Sequence, residues 1–407
     1  MLDNALAGIK VIDLSRILAG PWCTQNLADL GAEVIKVEQP GRGDDTRQWG
    51  PPYLEDKATG EQLSAYFSCC NRGKVSVAVD FSSAEGAAAI RELVRDADVL
   101  VENYKAGSLA KYGLDFPSLQ ALNPRLVYLS ITGYGQTGPM ADKPGYDYVF
   151  QGMGGLMSYT GQPDGEPGAG PLRTGVAVID LSTGLYATSA LLAALFQRHT
   201  TGRGQYIDIA LLDVAVAMNA NQGANYLVSG KNPERSGNAH PNCAPYEVFR
   251  CADGHLILAI GNDGQFRRFC AVAGHPEWAD DPRFRSNALR IVNLPALRGL
   301  LQEAFPTRTR RAWTDAFDQA NVPWGPIHSL QEVFAHPQVK HRRLLQVVHD
   351  PRLGEVPTVR NPMLSGSGRN PSSVLAPPLL SGALHLPPPA GLEQSAPATR
   401  HPSTSSS

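Results

Sequence analysis

Short apolar runs alternate with longer amphipathic stretches through the first half of the chain. Residues 9–14 form a brief apolar run, and residues 21–30 carry helical spacing, with Pro21 at the opening, where a missing N–H does no harm. Gly31 closes that helix and residues 32–38 make the next strand. A strand, a helix and a strand within about 30 residues describe a parallel βαβ unit. Strands at 75–79, 99–102 and 126–131, with a helix at 83–96, continue the alternation. This predicts an α/β fold: a doubly wound, Rossmann-like parallel sheet with helices on both faces.

Residues 140–176 are rich in glycine and tyrosine and show little periodicity. A long apolar helix follows over 181–199, stopped by Thr200-Thr201-Gly202-Arg203-Gly204, then a strand at 205–209 and a helix over 211–227. From residue 228 the pattern changes to polar loops, strands at 246–249 and 256–260, and short charged helices, which reads as a smaller α+β domain over 228–320. Residues 321–377 then return to complete the large domain begun by 1–227. The tail, 378–407, contains Pro387-Pro388-Pro389 and a serine-rich end that cannot build a core, so it is expected to be disordered.

Composition narrows the function classes. The 407 residues are 43% hydrophobic, and 36 basic against 38 acidic side chains leave a net charge of −2. That balance offers no footprint for nucleic acid. No run approaches the roughly 18–20 apolar residues of a membrane span, and Met1-Leu2-Asp3-Asn4 leads straight into a strand without a targeting pattern. The six cysteines form no C-x-x-C pair, and the adjacent Cys69 and Cys70 suit neither an ordinary disulfide nor zinc. A reduced, cytoplasmic protein with no membrane partner is expected.

The first βα turn invites a dinucleotide reading, because Glu38 ends the second strand where a ribose-binding acid would stand. The fingerprint needs three glycines, whereas Ser15-Arg16-Ile17-Leu18-Ala19-Gly20-Pro21 holds one. NAD is therefore not expected. No G-x-S-x-G or H-E-x-x-H string occurs, the ten histidines are scattered, and no metal is expected. Asp180 stands where a strand-like piece, residues 173–179, meets the long apolar helix. Aspartate at such a junction serves as an N-cap. The same geometry would favour its ionised form and make it a nucleophile in an apolar wall. Tyr146-Asp147, the arginines of Gly41-Arg42-Gly43-Asp44-Asp45-Thr46-Arg47, Asn103 with Lys111, and His240 are further candidates, each with a plain structural alternative.

Taken together, these segments resemble the class III CoA-transferases, the family of formyl-CoA transferase and carnitine CoA-transferase. The resemblance is carried by the 8–14 and 31–38 strings, Ala19-Gly20-Pro21, Gly43-Asp44-Asp45-Thr46-Arg47, Val101-Glu102-Asn103, the 130–139 string and the Asp180 segment. Residues 43–52, Gly184-Leu185-Tyr186-Ala187, Ala224-Asn225-Tyr226-Leu227 and the 322–327 string resemble the branch acting on succinyl-CoA and glutarate.

The resemblance implies an interlocked homodimer and Asp180 as nucleophile. It implies coenzyme A, as a thioester substrate, contacting Leu18, Ala19, Gln39, Val79, Asp80, Phe81, Ser82, Asn103, Tyr104, Lys105, Lys111, Pro144, Gly145, Tyr146 and Asp147. Arg42, Arg47 and His240 are candidates for the acceptor's distal carboxylate, and Trp49 for a wall of the acyl pocket. Leu18 stands where formyl-CoA transferase has glutamine, which argues against a formyl or oxalyl substrate. The family also contains α-methylacyl-CoA racemase, which needs a histidine directly before an acid; Tyr146 precedes Asp147 here, and a phenol is a poor base at neutral pH. A racemase or epimerase and a non-catalytic CoA-binding protein remain the alternatives.

Overall fold

The computed structural model describes residue 2 and residues 4–363. Lys10–Asp13 forms β1, Ala19–Asp29 α1 and Glu33–Glu38 β2. A hairpin of Tyr53–Glu55 (β3) and Gln62–Ser64 (β4) leads into a short helix, Ala65–Cys70 (α2). Lys74–Ala78 (β5), Ala84–Val94 (α3), Val99–Glu102 (β6), Phe116–Leu122 (α4) and Val127–Thr132 (β7) resume the alternation. Asp147–Met153 (α5) and Leu156–Tyr159 (α6) stand within the glycine-rich stretch. Val178–Thr201 (α7), Tyr206–Ala210 (β8), Leu211–Ala217 (α8) and Ala220–Ser229 (α9) follow.

Six strands pair in parallel in the order β5-β2-β1-β6-β7-β8. Successive residues of a strand point to opposite faces, and each face of this sheet has its own core. Val11 packs with Leu27 of α1 and Leu191 of α7, whereas Ile12 packs with Ile90 of α3 and Leu119 of α4. The strand order reverses between β1 and β6, the place where such sheets bind ligands outside their carboxyl ends.

Helix α7 is long and apolar enough to cross a membrane by length and composition alone, but half of its most apolar window is buried in this core. It lies tightly on α1: a Cβ at Gly184 would stand 2.8 Å from the Ala19 carbonyl oxygen and 2.9 Å from the Trp22 ring. Only glycine allows that approach, and the approach brings the start of α7 beside the first βα turn.

The helix expected over 211–227 is two helices. Asn219 interrupts it: its Nδ2 donates to the Gly154 carbonyl at 2.7 Å, its Oδ1 accepts from the Tyr159 hydroxyl at 2.9 Å, and Ala220 takes a positive φ of 41°. Side-chain bonds of this kind compete with the helical ladder.

The smaller sheet is antiparallel, with Tyr246–Cys251 (β9), Gly254–Ala259 (β10) and Trp324–Pro326 (β11) in the order β11-β10-β9. It packs against an aromatic core containing Phe249, Phe269, Phe305, Trp313 and Phe317. Its third strand comes from beyond residue 320, where the sequence pattern places the return; a three-residue strand has too little periodicity to declare which sheet it joins. The contact with the large domain is made later, by the hairpin Leu345–Asp350 (β12) and Gly354–Val359 (β13). Arg72 pairs with Asp29 of α1 and donates to Thr358 Oγ1 at 3.1 Å and to the Val359 carbonyl at 3.2 Å. Residues 364–377 and the proposed tail, 378–407, lie outside the described residues.

Charges buried beneath the sheet's carboxyl edge hold the loops that will matter. Lys74 Nζ donates to Asp13 Oδ2 at 3.0 Å, the Pro21 carbonyl at 3.0 Å and Asn71 Oδ1 at 2.8 Å. Lys36 Nζ donates to the Ser15 carbonyl at 2.8 Å and to Asp44 Oδ2 at 2.9 Å. Burial opposes the Asp13 charge, but the Lys74 and Lys36 ammoniums and the Ser15 and Thr24 hydroxyls hold its carboxyl down at about 2. Removing one partner of a buried pair strands the other. Lys74→Met is therefore expected to cost about 3–5 kcal/mol in urea unfolding at neutral pH. Asp13 ionises more readily folded than unfolded, so its contribution is full above about pH 4 and fades as pH falls through about 2. The variant and its parent should accordingly converge in acid.

Candidate active site

Asp180 sits in the first turn of α7 and is 9% exposed. It is not the helix cap. The residue at the cap position is Ala177, which supplies no side-chain bond, and the cap comes from another helix. Asp147, at the start of α5, accepts from the Ile179 N–H at 2.7 Å and the Asp180 N–H at 3.2 Å through Oδ1, and from Gln151 Nε2 at 2.6 Å through Oδ2. Two of the orphan donors of α7 are thus satisfied by a carboxylate 32 residues upstream of the first of them.

The expectation that the helix end would keep Asp180 ionised therefore needs correcting. Asp147 occupies the favourable position and takes the benefit of the dipole. Burial, and after it the neighbouring Asp147 charge, push the Asp180 carboxyl up to about 7. At neutral pH such a group is a mixture of acid and carboxylate, with a more basic oxygen than an exposed aspartate.

Asp180 opens into a cavity of about 540 Å³ at the reversal of strand order. The loops after β1, β6 and β7 form its walls. Among the residues singled out from sequence, Leu18, Ala19, Asn103, Tyr104, Lys105, Pro144, Gly145 and Tyr146 line it together with Asp180. An adjoining cavity of about 380 Å³ shares Arg16 and Tyr104 with the first and is lined by Gln39, Arg42 and Phe81. Lys111 is exposed and lines neither cavity; its ammonium is 4.7 Å from the Tyr112 ring, which packs edge-on against Phe81. Val79 is buried, and Asp80 turns back to accept from the Ser82 N–H and hydroxyl at 3.0 and 2.6 Å. Asp147 is buried and committed to α7 rather than facing the cavity.

The acceptor-site candidates are more dispersed. Arg47 closes as a fork on Glu38 at 2.6 and 2.7 Å and lies 3.9 Å over the Phe67 ring. That pairing also disposes of Glu38 as a ribose ligand: the carboxylate accepts in addition from Ser76 Oγ and the Asp44 N–H. Arg42 pairs with Asp45 at 2.6 Å in the adjoining cavity. The His240 Nδ1 accepts from the Asn242 N–H at 3.0 Å and its ring rests on Tyr246, so the fold of one chain does not carry it to the Asp180 cavity. Trp49 is half-exposed and meets Tyr66 edge-on at 5.1 Å.

Several residues of the site escaped the sequence reading. Tyr66 on α2 has its phenol pushed up by burial and, next, by the charge of Asp180, which places it close to that acid. Arg16 lines both cavities and pairs with Asp45 at 3.0 Å. Ile17 takes a φ of 71° in the same turn; a β-branched residue there is strained. Its N–H reaches both Asp44 oxygens at 3.3 Å. A β-branched residue gives no sequence signal for such a turn; a glycine would have.

Because the Asp180 carboxyl ionises near 4 when unfolded and near 7 when folded, its ionisation opposes folding. Stability is lost as pH rises between those values and stays lost above them. Asp180→Asn is expected to raise stability by on the order of 1–4 kcal/mol at pH 8 and by much less at pH 4, measured by urea unfolding at both.

The profile described as CoA-transferase family III matches residues 6–382. The chain is 52% identical over 360 residues, 88% of this chain and 89% of the relative, to a succinate–glutarate CoA-transferase of Agrobacterium fabrum. It is 42% identical over 375 residues, 92% and 83% of the two chains, to the human succinyl-CoA:glutarate CoA-transferase. A crystal structure of a CAIB/BAIF family protein from Brucella suis, 46% identical, superposes with a TM-score of 0.80 over 93% of this chain and 97% of that one. The matched span covers β1 through β13 and both cavities, so the chain belongs to CoA-transferase family III.

Proposed function

We propose that this chain moves CoA between succinyl-CoA and glutarate, or a close dicarboxylate pair, with Asp180 as nucleophile. The observation that carries the reading is a single buried carboxyl at the wall of a roughly 540 Å³ cavity placed where a doubly wound sheet binds its ligand. The names of the relatives supply the acid pair.

The chemistry follows from one carboxylate replacing another. Asp180 Oδ attacks the donor thioester carbonyl, and collapse of the tetrahedral adduct breaks the C–S bond, giving a mixed anhydride and CoA thiolate. The thiolate attacks the aspartyl carbonyl and expels the donor acid as its carboxylate, leaving an aspartyl-CoA thioester. The acceptor carboxylate attacks that thioester to form a second anhydride, again releasing thiolate. Attack of this thiolate on the acceptor's acyl carbon yields the new acyl-CoA and restores the Asp180 carboxylate. No proton or water is consumed, and the overall exchange of one thioester for another is close to isoenergetic. A more basic carboxylate is a better nucleophile as long as enough of it is ionised. A buried wall keeps water from the anhydride.

The homodimer is part of this proposal. Helix α9 buries no residue within its own chain, and Leu227 and Val228 are 82% and 90% exposed. On α7, Phe196 is 79% exposed. Apolar surface of this extent is what a partner subunit covers. A cytoplasmic setting remains our expectation. The racemase alternative has little support, since Tyr146 stands where that chemistry needs a histidine.

Incubation with succinyl-CoA and labelled glutarate should yield labelled glutaryl-CoA, and Asp180→Ala should lower the rate by at least about 10³-fold. Hydroxylamine added during turnover should convert Asp180 to a hydroxamate, read by peptide mass. Undiminished transfer in the alanine variant would remove the assignment. Light scattering at micromolar concentration should return twice the chain mass; a monomer would remove the dimer.

A further inference from the structure

Gln151 has no place in the transfer chemistry, yet it is completely buried beside it. It follows Asp147 by one turn of α5, and its amide uses both ends. Nε2 donates to Asp147 Oδ2 at 2.6 Å and lies 3.5 Å from the Val176 carbonyl; Oε1 accepts from the Thr174 N–H at 2.9 Å and the Thr174 hydroxyl at 3.3 Å. The Thr174 N–H can only face an acceptor, so the amide orientation is determined and the NH₂ is left for the carboxylate. One side chain thus ties α5 to the 174–176 stretch that leads into α7.

No cation pairs with Asp147 among the described residues. Its charge rests on three N–H donors, two from α7 and one from Gln151. The two α7 donors belong to Asp180 itself and the residue before it, so whatever moves Asp147 moves the nucleophile. The other titratable groups around Asp180 are Tyr66 on α2 and, on the cavity wall, Arg16, Tyr104, Lys105, Asp142, Lys143 and Tyr146. Lys105 faces Asp142 at 3.6 Å and Arg16 faces Asp45, leaving Asp147 as the acid that bears directly on Asp180.

We infer that Gln151 is a positioning residue for the transfer reaction: its amide holds the Asp147 carboxylate against the start of α7 and so sets both the placement and the ionisation of Asp180. This rests on Asp180 being the nucleophile. Glutamine suits the role because a neutral amide can donate to one partner and accept from the other at once. A leucine of similar volume would leave Asp147 Oδ2 and the Thr174 N–H without partners. A glutamate keeps the shape but sets a second carboxylate against Asp147 once it ionises.

The test is the pH dependence of kcat and of KM for succinyl-CoA in the full-length Gln151→Leu and Gln151→Glu proteins, with folding checked by near-UV circular dichroism. The rate of the parent should rise with pH as Asp180 ionises. In Gln151→Leu, kcat is expected to fall about 10- to 100-fold with KM within about threefold, and the rising limb should move to lower pH as Asp147 swings away. In Gln151→Glu the limb should move to higher pH, because the added charge disfavours ionisation of Asp180. Folded variants whose limb coincides with that of the parent, whether or not kcat falls, would overturn the inference, as would a change confined to KM. If the leucine variant does not fold, the isosteric glutamate variant decides alone. Failure of the underlying reading looks different: Asp180→Ala would then retain transfer.

Discussion

A carboxylate on one helix closes the amino end of another, and the candidate nucleophile stands inside that junction. Asp147 satisfies two N–H groups at the start of α7, and the second of these belongs to Asp180. The arrangement orders the helix start and at the same time sets a negative charge beside a buried acid. The two consequences are inseparable, because the donors that attract Asp147 belong to the backbone that carries Asp180. A helix capped from its own preceding residue would leave Asp180 raised by burial alone, with no second carboxylate beside it.

The remaining scaffold makes this crowding tolerable. Beneath the first βα turn, Asp13, Lys74, Lys36 and Asp44 are all essentially shut off from solvent, yet every one is paired. Such a network contributes little net stability against an apolar core of equal volume. What it does supply is position. Lys36 grips the Ser15 carbonyl and the Asp44 carboxylate, and Asp44 grips the Ile17 N–H in its strained conformation. The turn that forms one wall of the cavity is therefore held by charges, in a place where the dinucleotide-binding version of the fold relies on glycines. Glu38, which that version would spend on a ribose, is absorbed into the same scaffold through Arg47.

Helix α7 joins the two ends of the argument. Its buried face lies on α1, close enough that Gly184 has no room for a Cβ, and that approach sets the distance between Asp180 and the Leu18-Ala19 turn. Its opposite face carries Leu185, Tyr186 and Phe196, more than half exposed. One helix is thereby core on one side and apolar surface on the other, which explains why its sequence shows so little amphipathic contrast.

Much of the architecture was legible from local pattern. Alternating apolar runs and helical stretches specify a doubly wound sheet, and a parallel sheet puts its ligand edge at the strand ends, which is why Asn103 could be nominated from its position, whereas the Leu18 turn was nominated by the family resemblance. The junction ahead of the 181–199 stretch likewise pointed to Asp180. Tertiary structure decided the rest. The cap of α7 lies 32 residues away in Asp147, the break between α8 and α9 answers to Gly154 and Tyr159, and β11 joins a sheet its three residues could not announce. Arg47 and Glu38 find each other only once a strand and a loop are folded together. Periodicity reports which side of an element is buried; it is silent on which distant polar group will stand next to it. Because the acidity of Asp180 depends on that burial and that neighbour, chain order determines which residue carries the carboxyl, and the folded surroundings determine what the carboxyl can do.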